Sequence, residues 1–455
     1  MSRYKNPPPP KNISSALNEI DNMSPDQLIE YMKYHSPVDE KGAYEPFHKF
    51  QYKTGKDIDA KIAWHIKKAS RRNNRVYVEG IREKDSDNLY CAYYLTKKIQ
   101  KAVSMVDRFT TSGQITHLDG MMGGQFRLKN LINSLIEDES ISSSQLEGAT
   151  TTTAVAKELI TSNRTPRTDG EKMIVGNYLM MNFAWENRHK PLTVSLIQEM
   201  HECGVSGIND DKYTPGVFRK TNDIYVKNSD GEIVHEPPPA DQIEERLERM
   251  CEWGNEEHDG EGSSEYIHPM IKAVALHFSI GYEHPFRDGN GRVARCLFYW
   301  FMFKHGYEAF KYIAISTILK GAPVQYGVSY LNTEKDEMDL TYFLDYQAEV
   351  ITRAINKFNN SWEDALRNLR GFAGWLLMSG KSKEVTDLQN SIISAAMSQN
   401  SAFTARRVQE MAGCSDNTAR QALNGLFDMG LFKKDKVERT TLYRLKPFDE
   451  IQKSN

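Results

Sequence analysis

Two apolar stretches, Ile267–Glu283 and Val293–Phe303, stand nine residues apart, and that pairing constrains the fold more than any other feature. The first, Ile267-His-Pro-Met-Ile-Lys-Ala-Val-Ala-Leu-His-Phe-Ser-Ile-Gly-Tyr-Glu283, is apolar on nearly every face. It predicts a buried helix that ends where His284 begins. The second predicts another, starting at once after the segment His284-Pro-Phe-Arg-Asp-Gly-Asn-Gly-Arg292. A polar, glycine-bearing turn between two buried helices has to be accounted for chemically.

Helical patterning continues on both sides. Leu128, Leu131, Ile132, Leu135 and Ile136 recur at three- and four-residue intervals, the stripe of an amphipathic helix. Further helices are expected over Thr153–Ser162, Glu171–Glu186, Thr193–Glu202, Asp241–Gly254, Pro269–Glu283 and Gly291–His305, with another set running to about Met378. Thr214–Pro239 interrupts them. Ile224-Tyr-Val226 predicts a short strand, Asn228-Ser-Asp-Gly-Glu232 a turn and Glu232-Ile-Val-His235 the returning strand. Pro237-Pro-Pro239 stops that sheet, and Asp241 can cap the next helix. Two strands alone are marginal, so the hairpin should lie over something.

At 455 residues the chain exceeds one ordinary core. We expect a region of unassigned role over 1–89, with a mobile arm over 1–20 and one strand near Arg75–Glu79. A helical segment over 90–190, a core over 191–378 and a C-terminal unit over 385–447 follow, the last preceded by a linker at Lys381-Ser-Lys-Glu384. Hydrophobic content of 39% and charged content of 26% are globular values. No run approaches the roughly 20 apolar residues a bilayer span needs, and the N-terminus lacks the apolar run of a secretory signal. A net charge of -3 gives no whole-molecule reason to bind nucleic acid. Cys91, Cys203, Cys251, Cys296 and Cys414 are too scattered for a disulfide framework or a zinc cluster, which suits a reducing, cytoplasmic setting.

Within the turn, Gly289 and Gly291 let backbone N–H groups point inward and approach a ligand closely. The helix start behind them adds free amides and a positive dipole end. Arg292 and Arg295, three apart, can face one anion with guanidinium forks that suit phosphate. Asp288 would repel that anion unless a cation lies between, which a Mg²⁺ would provide. His284 is placed to take a proton from an incoming hydroxyl. Eight fixed residue types at fixed spacing arise by accident about once in 10^10 positions.

His284-x-Phe286-x-Asp288-Gly-Asn-Gly-Arg292-x-x-Arg295 resembles the signature of the Fic (Fic/Doc) family at every position, and the resemblance extends over roughly residues 90–375. It implies a mainly α fold, a helical bundle with a β-hairpin flap, and transfer of AMP from ATP to a Ser, Thr or Tyr hydroxyl of a protein. It further implies His284 as general base, Asp288 as Mg²⁺ ligand and Phe286 as the anchor of the loop. Gly289, Asn290 and Gly291 would cradle the α- and β-phosphates, Arg292 the β-phosphate and Arg295 the γ-phosphate. Phe286 and Arg287 complete the nucleotide-binding loop. Tyr326 and Tyr330 are candidates to stack on adenine. Gly216 and Arg219 match the run that precedes the family's flap, whose Ile224, Tyr225 and Val226 would pair with the target's backbone. Ser143-Ser-Gln-Leu-Glu-Gly148 resembles the family's inhibitory motif. Ser143 and Glu147 share a helix face, Gly148 can end the helix, and Glu147 would occupy the guanidinium of Arg295. The same glutamate could instead position water to remove AMP.

In the C-terminal unit, Thr386–Gln399, Thr404–Ala412 and Ser415–Met429 predict three helices, and Leu431–Leu445 a two-stranded wing. This resembles a winged helix-turn-helix. Asn417, Thr418, Arg420, Gln421 and Asn424 would form its reading face. Arg406, Arg407, Lys433, Lys434, Lys436 and Arg439 are candidates for phosphate contacts, diluted by Asp416 and Glu438. DNA and a second copy of the chain are therefore candidate partners beside a protein substrate. Two other functions stay open: a DNA-binding regulator with a nucleotide-sensing Fic unit, and transfer of a different phosphate-bearing group.

Overall fold

The computed structural model describes residues 8–11, 13–121, 128–162, 164–208, 212–228, 230–263, 265–378, 380, 384–399, 402–437, 440–446 and 450–451. The chain is mainly helical. It divides into one compact unit of Met1–Thr111, Glu137–Phe310 and Ala314–Ala354, and another of Ser112–Ile136, Lys311–Ile313 and Ile355–Asn455. In chain order the elements used below begin with helix α1 (Ala60–Arg72), strands β1 (Arg75–Arg82) and β2 (Tyr90–Tyr94), and helices α2 (Leu128–Leu146), α3 (Asp169–Glu186) and α4 (Val194–Val205). Strands β3 (Val226–Lys227) and β4 (Ile233–His235) follow, then helices α5 (Ile243–Asn255), α6 (Pro269–Glu283), α7 (Asn290–Lys304), α8 (Pro323–Lys335) and α9 (Thr341–Met378).

The two apolar helices form the centre of the first unit. Every residue from Ile267 to Ile280 and from Arg292 to Phe303 is buried. Sealing a side chain such as Phe298 or Leu276 from water is worth roughly 2–3 kcal/mol, so this pair anchors what surrounds it. α6 starts at His268, whose ring accepts from the Met270 amide, with Pro269 at the first helical position. It ends at His284, whose φ of 46° is left-handed, a conformation few non-glycine residues hold.

Several expectations shift. Residues 1–89 do not stand apart. Lys68 pairs with Asp336 at 2.9 Å and Arg75 with Asp339 at 2.7 Å, all four nearly sealed from solvent. The Tyr44 hydroxyl donates to Asp339, and Arg71 donates to the Tyr342 hydroxyl. A break at residue 90 would also split a sheet, since β1 pairs antiparallel with β2 in the register Arg75↔Tyr94. β2 was not anticipated. In the hairpin, β3 begins at Val226, so Ile224 and Tyr225 precede the strand, and a register shift separates Val226↔His235 from Lys227↔Ile233. Asn228 builds the turn, its Oδ1 accepting from the amides of Asp230 and Glu232. Asp241 does not cap α5. It sits in a 3-10 turn, Ala240–Gln242, and Gln242 is the capping position without a side-chain bond.

The second unit contains α10 (Asp387–Gln399), α11 (Ala405–Ala412), α12 (Asp416–Asp428), β5 (Phe432–Val437) and β6 (Thr440–Leu445). Ile392, Phe403, Val408, Leu423, Leu426 and Phe432 are central to its core. Thr404 and Ser415 cap α11 and α12 through their hydroxyls. β5 and β6 form a hairpin. Glu438, Arg439, Lys381, Ser382 and Lys383, the first seven residues of the expected N-terminal arm, Ser229 and the side chains of the Leu128–Ile136 stripe lie outside the described residues. The five cysteines are free. Among the described residues, no helix is long and apolar enough to cross a membrane.

Candidate functional site

The loop from His284 to Arg292 is held by its own side chains and by α4. Phe286 is fully buried and lies face to face on His201 of α4, with ring centroids 3.7 Å apart. Asn290 closes the turn: its Nδ2 donates to the Phe286 carbonyl, and its Oδ1 accepts from the Phe286 amide, each at 2.8 Å. That side chain is thus spent on loop shape, which leaves only its amide to face an anion. Arg219 straps the same backbone, donating from Nε to the His284 carbonyl at 2.9 Å and from Nη2 to the Glu283 carbonyl at 3.3 Å. His201 donates from Nε2 to the Asp288 carbonyl and accepts at Nδ1 from the Gly216 amide, which fixes its neutral tautomer. Burial lowers its pKa to about 4. Nothing in the sequence of an otherwise ordinary helix marks His201 for this role.

Donors without acceptors collect at the start of α7. The amides of Asn290, Gly291 and Arg292 occupy its first turn, where no intrahelical acceptor exists. Arg292 donates through Nη1 to the Gly204 carbonyl at 2.8 Å, whereas its Nε and Nη2 are buried with no partner among the described residues. Arg295 donates from Nε to Ser143 Oγ at 2.8 Å and from Nη2 to Glu147 Oε1 at 2.8 Å and the Ser143 carbonyl at 3.2 Å. Its Nη1 is likewise buried without a partner. Buried polar groups are normally paired, so these donors can take an anion. Glu147 is the acid now nearest: a Cβ on Gly291 would lie 2.2 Å from its Oε1. Ser143 and Glu147 therefore meet Arg295 from one face of the α2 terminus, and Gly148 leaves the helix at a φ of 96°.

Asp288 accepts from the Gly289 amide through Oδ1, and its Oδ2 faces the Lys212 ammonium at 3.1 Å. Among the described residues no group of three or more His, Cys, Asp or Glu is arranged to hold a metal. A single carboxylate that already draws a cation fits Mg²⁺ when phosphate oxygens and water complete the octahedron.

His284 lies at the wall shared by two cavities. One, about 360 Å³, is lined by Glu147, Val226, Gly291, Arg295, Tyr326 and Tyr330 among others. The second, about 510 Å³, is lined by Ile224, Tyr225, Arg287 and Asp288, again with Glu147 and Gly291. Arg287 belongs to the second cavity and pairs with Asp223 at 3.3 Å. Tyr326 lines the first, with its hydroxyl bonded to His277 Nε2 at 2.6 Å, while Tyr330 stacks on Phe278. Burial lowers the His284 pKa to about 4, so the ring is neutral at physiological pH. Its Nδ1 lies 3.4 Å from the Gly281 carbonyl, which favours the proton on Nδ1 and a free lone pair on Nε2.

Residues 191–302 match the family model described as Fic/DOC family. A curated relative, "Protein adenylyltransferase Fic" of Drosophila virilis, is 28% identical over 169 residues, 36% of this chain and 32% of that protein. The protein of the same description from Drosophila melanogaster is 31% identical over 116 residues, 26% of this chain and 21% of its own length. The chain thus spans a third or less of these relatives. A solved structure of a Fic family protein from Desulfovibrio desulfuricans G20 aligns with a TM-score of 0.47 at 18% identity, covering 78% of this chain and 97% of that one.

Proposed function

We propose, from the match of residues 191–302 to the Fic/DOC family model, that this chain transfers AMP from ATP to a Ser, Thr or Tyr hydroxyl of a target protein. One observation carries the reading. The unpartnered donors of Arg292 and Arg295 and the first-turn amides of α7 converge beside a neutral His284. In this reading the triphosphate lies over Gly289, Asn290 and Gly291 and the base enters the cavity walled by Tyr326. His284 Nε2 takes the proton of the acceptor hydroxyl as its oxygen bonds to the α-phosphorus. The bond from that phosphorus to the bridging oxygen breaks, and pyrophosphate leaves against the two guanidiniums. Bound at Asp288, Mg²⁺ would supply further charge stabilisation for the phosphates. Ile224, Tyr225 and Val226 precede or begin the hairpin strand and offer backbone groups to an extended target segment.

We further propose that Glu147 restrains the enzyme by holding Arg295, the guanidinium the γ-phosphate needs. The five free thiols support a cytoplasmic setting. The order of three helices and a hairpin in the second unit supports a winged helix, and Asn417, Thr418, Arg420 and Gln421 are exposed on α12. Arg406, Arg420 and Lys433 each pair with an acid of the same unit, so DNA contact would have to replace three ion pairs. Salt-dependent binding of a duplex would test it, and sedimentation would test a homodimer.

The decisive experiment supplies ATP radiolabelled at the α-phosphate. Label on protein that disappears in His284→Ala supports AMP transfer. Label only from the γ-phosphate would mean phosphate transfer, and nucleotide binding without label would mean a sensor.

A further inference from the structure

His235 closes β4 where the hairpin meets α6 and α8, and its ring is nearly sealed from solvent. Its Nε2 stands 2.8 Å from the carbonyl oxygen of Tyr282, two residues before His284. Its Nδ1 stands 2.9 Å from Oε2 of Glu334 on α8. Both neighbours are acceptors. A neutral imidazole has one N–H and one lone pair, so beside an ionised Glu334 it can satisfy only one of them. The pair of short contacts becomes two hydrogen bonds only when the arrangement holds one more proton.

We propose that His235 is a positioning residue that, with a proton on each ring nitrogen, latches the hairpin to the end of α6 and to α8. The charged groups around it favour such a latch. Glu334 faces it from α8, and Glu283, whose charge is shared with Arg246 in a two-pronged ion pair, lies at the end of α6 with Tyr282 and His284. Opposing it are Lys227, one position along on β3, and Lys84, which engages the neighbouring Glu236 at 3.4 Å. Just beyond β4 the chain is also tied by Lys84, which donates to the Glu236 carbonyl, and by Arg219, which donates to the Pro238 carbonyl, but neither bond reaches the paired strands. β3 and β4 share just two paired positions, and the one that includes His235 is Val226, which directly follows Ile224 and Tyr225 at the wall of the second cavity. Releasing the latch therefore frees the segment that lies across from His284. The latch stands on this geometry whether or not AMP is the group transferred.

Hydrogen exchange on the full chain, without nucleotide, tests it. The reporter is the Asn228 amide, which donates to the Glu232 carbonyl inside the hairpin. After correction for intrinsic exchange, wild-type protection should exceed that of His235→Ala roughly tenfold, because the variant loses a charge-assisted bond. In Glu334→Gln the carboxamide can donate to a neutral Nδ1 while Nε2–H still reaches Tyr282. Protection should then stay within about twofold of wild type. Nitrogen chemical shifts of His235 should be those of an imidazolium in wild type and of a neutral ring in Glu334→Gln. Wild-type protection retained in His235→Ala, or a neutral wild-type ring with full protection, would overturn the proposal. Because no ATP enters this measurement, neither result bears on group transfer.

Discussion

Replacing Glu147 by glycine should release activity, and the geometry sets the scale. The carboxylate accepts a charge-assisted hydrogen bond from Arg295 at 2.8 Å. Such bonds are worth about 1.5–3 kcal/mol. The Glu147 side chain keeps 26% of its exposure, so the lower half applies, about 1.5–2 kcal/mol or a factor of about 10–30. Contact with Gly291 adds to this, because a phosphate oxygen reaching that amide would meet the carboxylate. The assay is incorporation of α-phosphate label at ATP concentrations below saturation, in wild type and Glu147→Gly side by side, and at least a tenfold rise is expected. A second reading guards against a trivial cause. Without ATP the variant leaves a buried Arg295 with Ser143 alone and should lose about 1–3 kcal/mol of stability, while ATP with Mg²⁺ should raise its melting temperature more than that of wild type. Equal labelling and equal nucleotide-induced shifts in both proteins would refute the argument.

The pH profile of kcat/KM in the free Glu147→Gly variant should have its acid limb no higher than about pH 4, because burial holds His284 there, below its ordinary 6.5, and the variant lacks the Glu147 charge that pulls it upward. The base is lost as pH falls through the folded value, and rising pH costs nothing on that limb. His201 and His284, both held to about 4 by burial, make stability fall as pH drops from 6.5 toward about 4, where the unfolded chain binds the protons and the folded one does not; at about 2 kcal/mol each, urea melts should show at least about 4 kcal/mol less near pH 5 than at pH 7. Asn290→Ala removes both bonds that close the turn, so it should cost about 2–3 kcal/mol in denaturant melts and weaken ATP binding in calorimetry. Gly291→Ala sets a methyl against Glu147, so its stability cost should shrink by about 1 kcal/mol or more in a Glu147→Gly background, measured as a double-mutant cycle.

The loop was legible because its chemistry is local. Two glycines, two arginines three apart and a histidine at a helix end carry their spacing with them, and the buried helices on either side announce themselves by composition. Ser143 and Glu147 were legible for the same reason, as an i, i+4 pair. What escaped the sequence depends on partners far along the chain. His201 looks like any packed helical histidine until Phe286 and Asp288, more than eighty residues on, come to rest on its ring. β2 could not be seen because Tyr90–Tyr94 is short and pairs across an irregular register with β1. The place of Asn290 beside the two glycines is legible, whereas the bonding of its side-chain carboxamide to Phe286, which leaves the backbone amide to face an anion, is not. The hairpin strand slipped by two residues because its pairing is set by His235, not by the apolar run Ile224-Tyr-Val226.

The ionic seam between the early chain and the bend after α8 limits how this protein can be dissected. Asp336 and Asp339 are buried acids whose counter-ions come from Lys68, Arg71 and Arg75. A fragment trimmed to residues 191–302 would discard the tyrosine wall, and one extended only to the end of the bend would keep two entombed carboxylates without their cations. Such pieces should come out of cells insoluble or molten, so the smallest part that folds by itself is far larger than the stretch that sequence comparison marks.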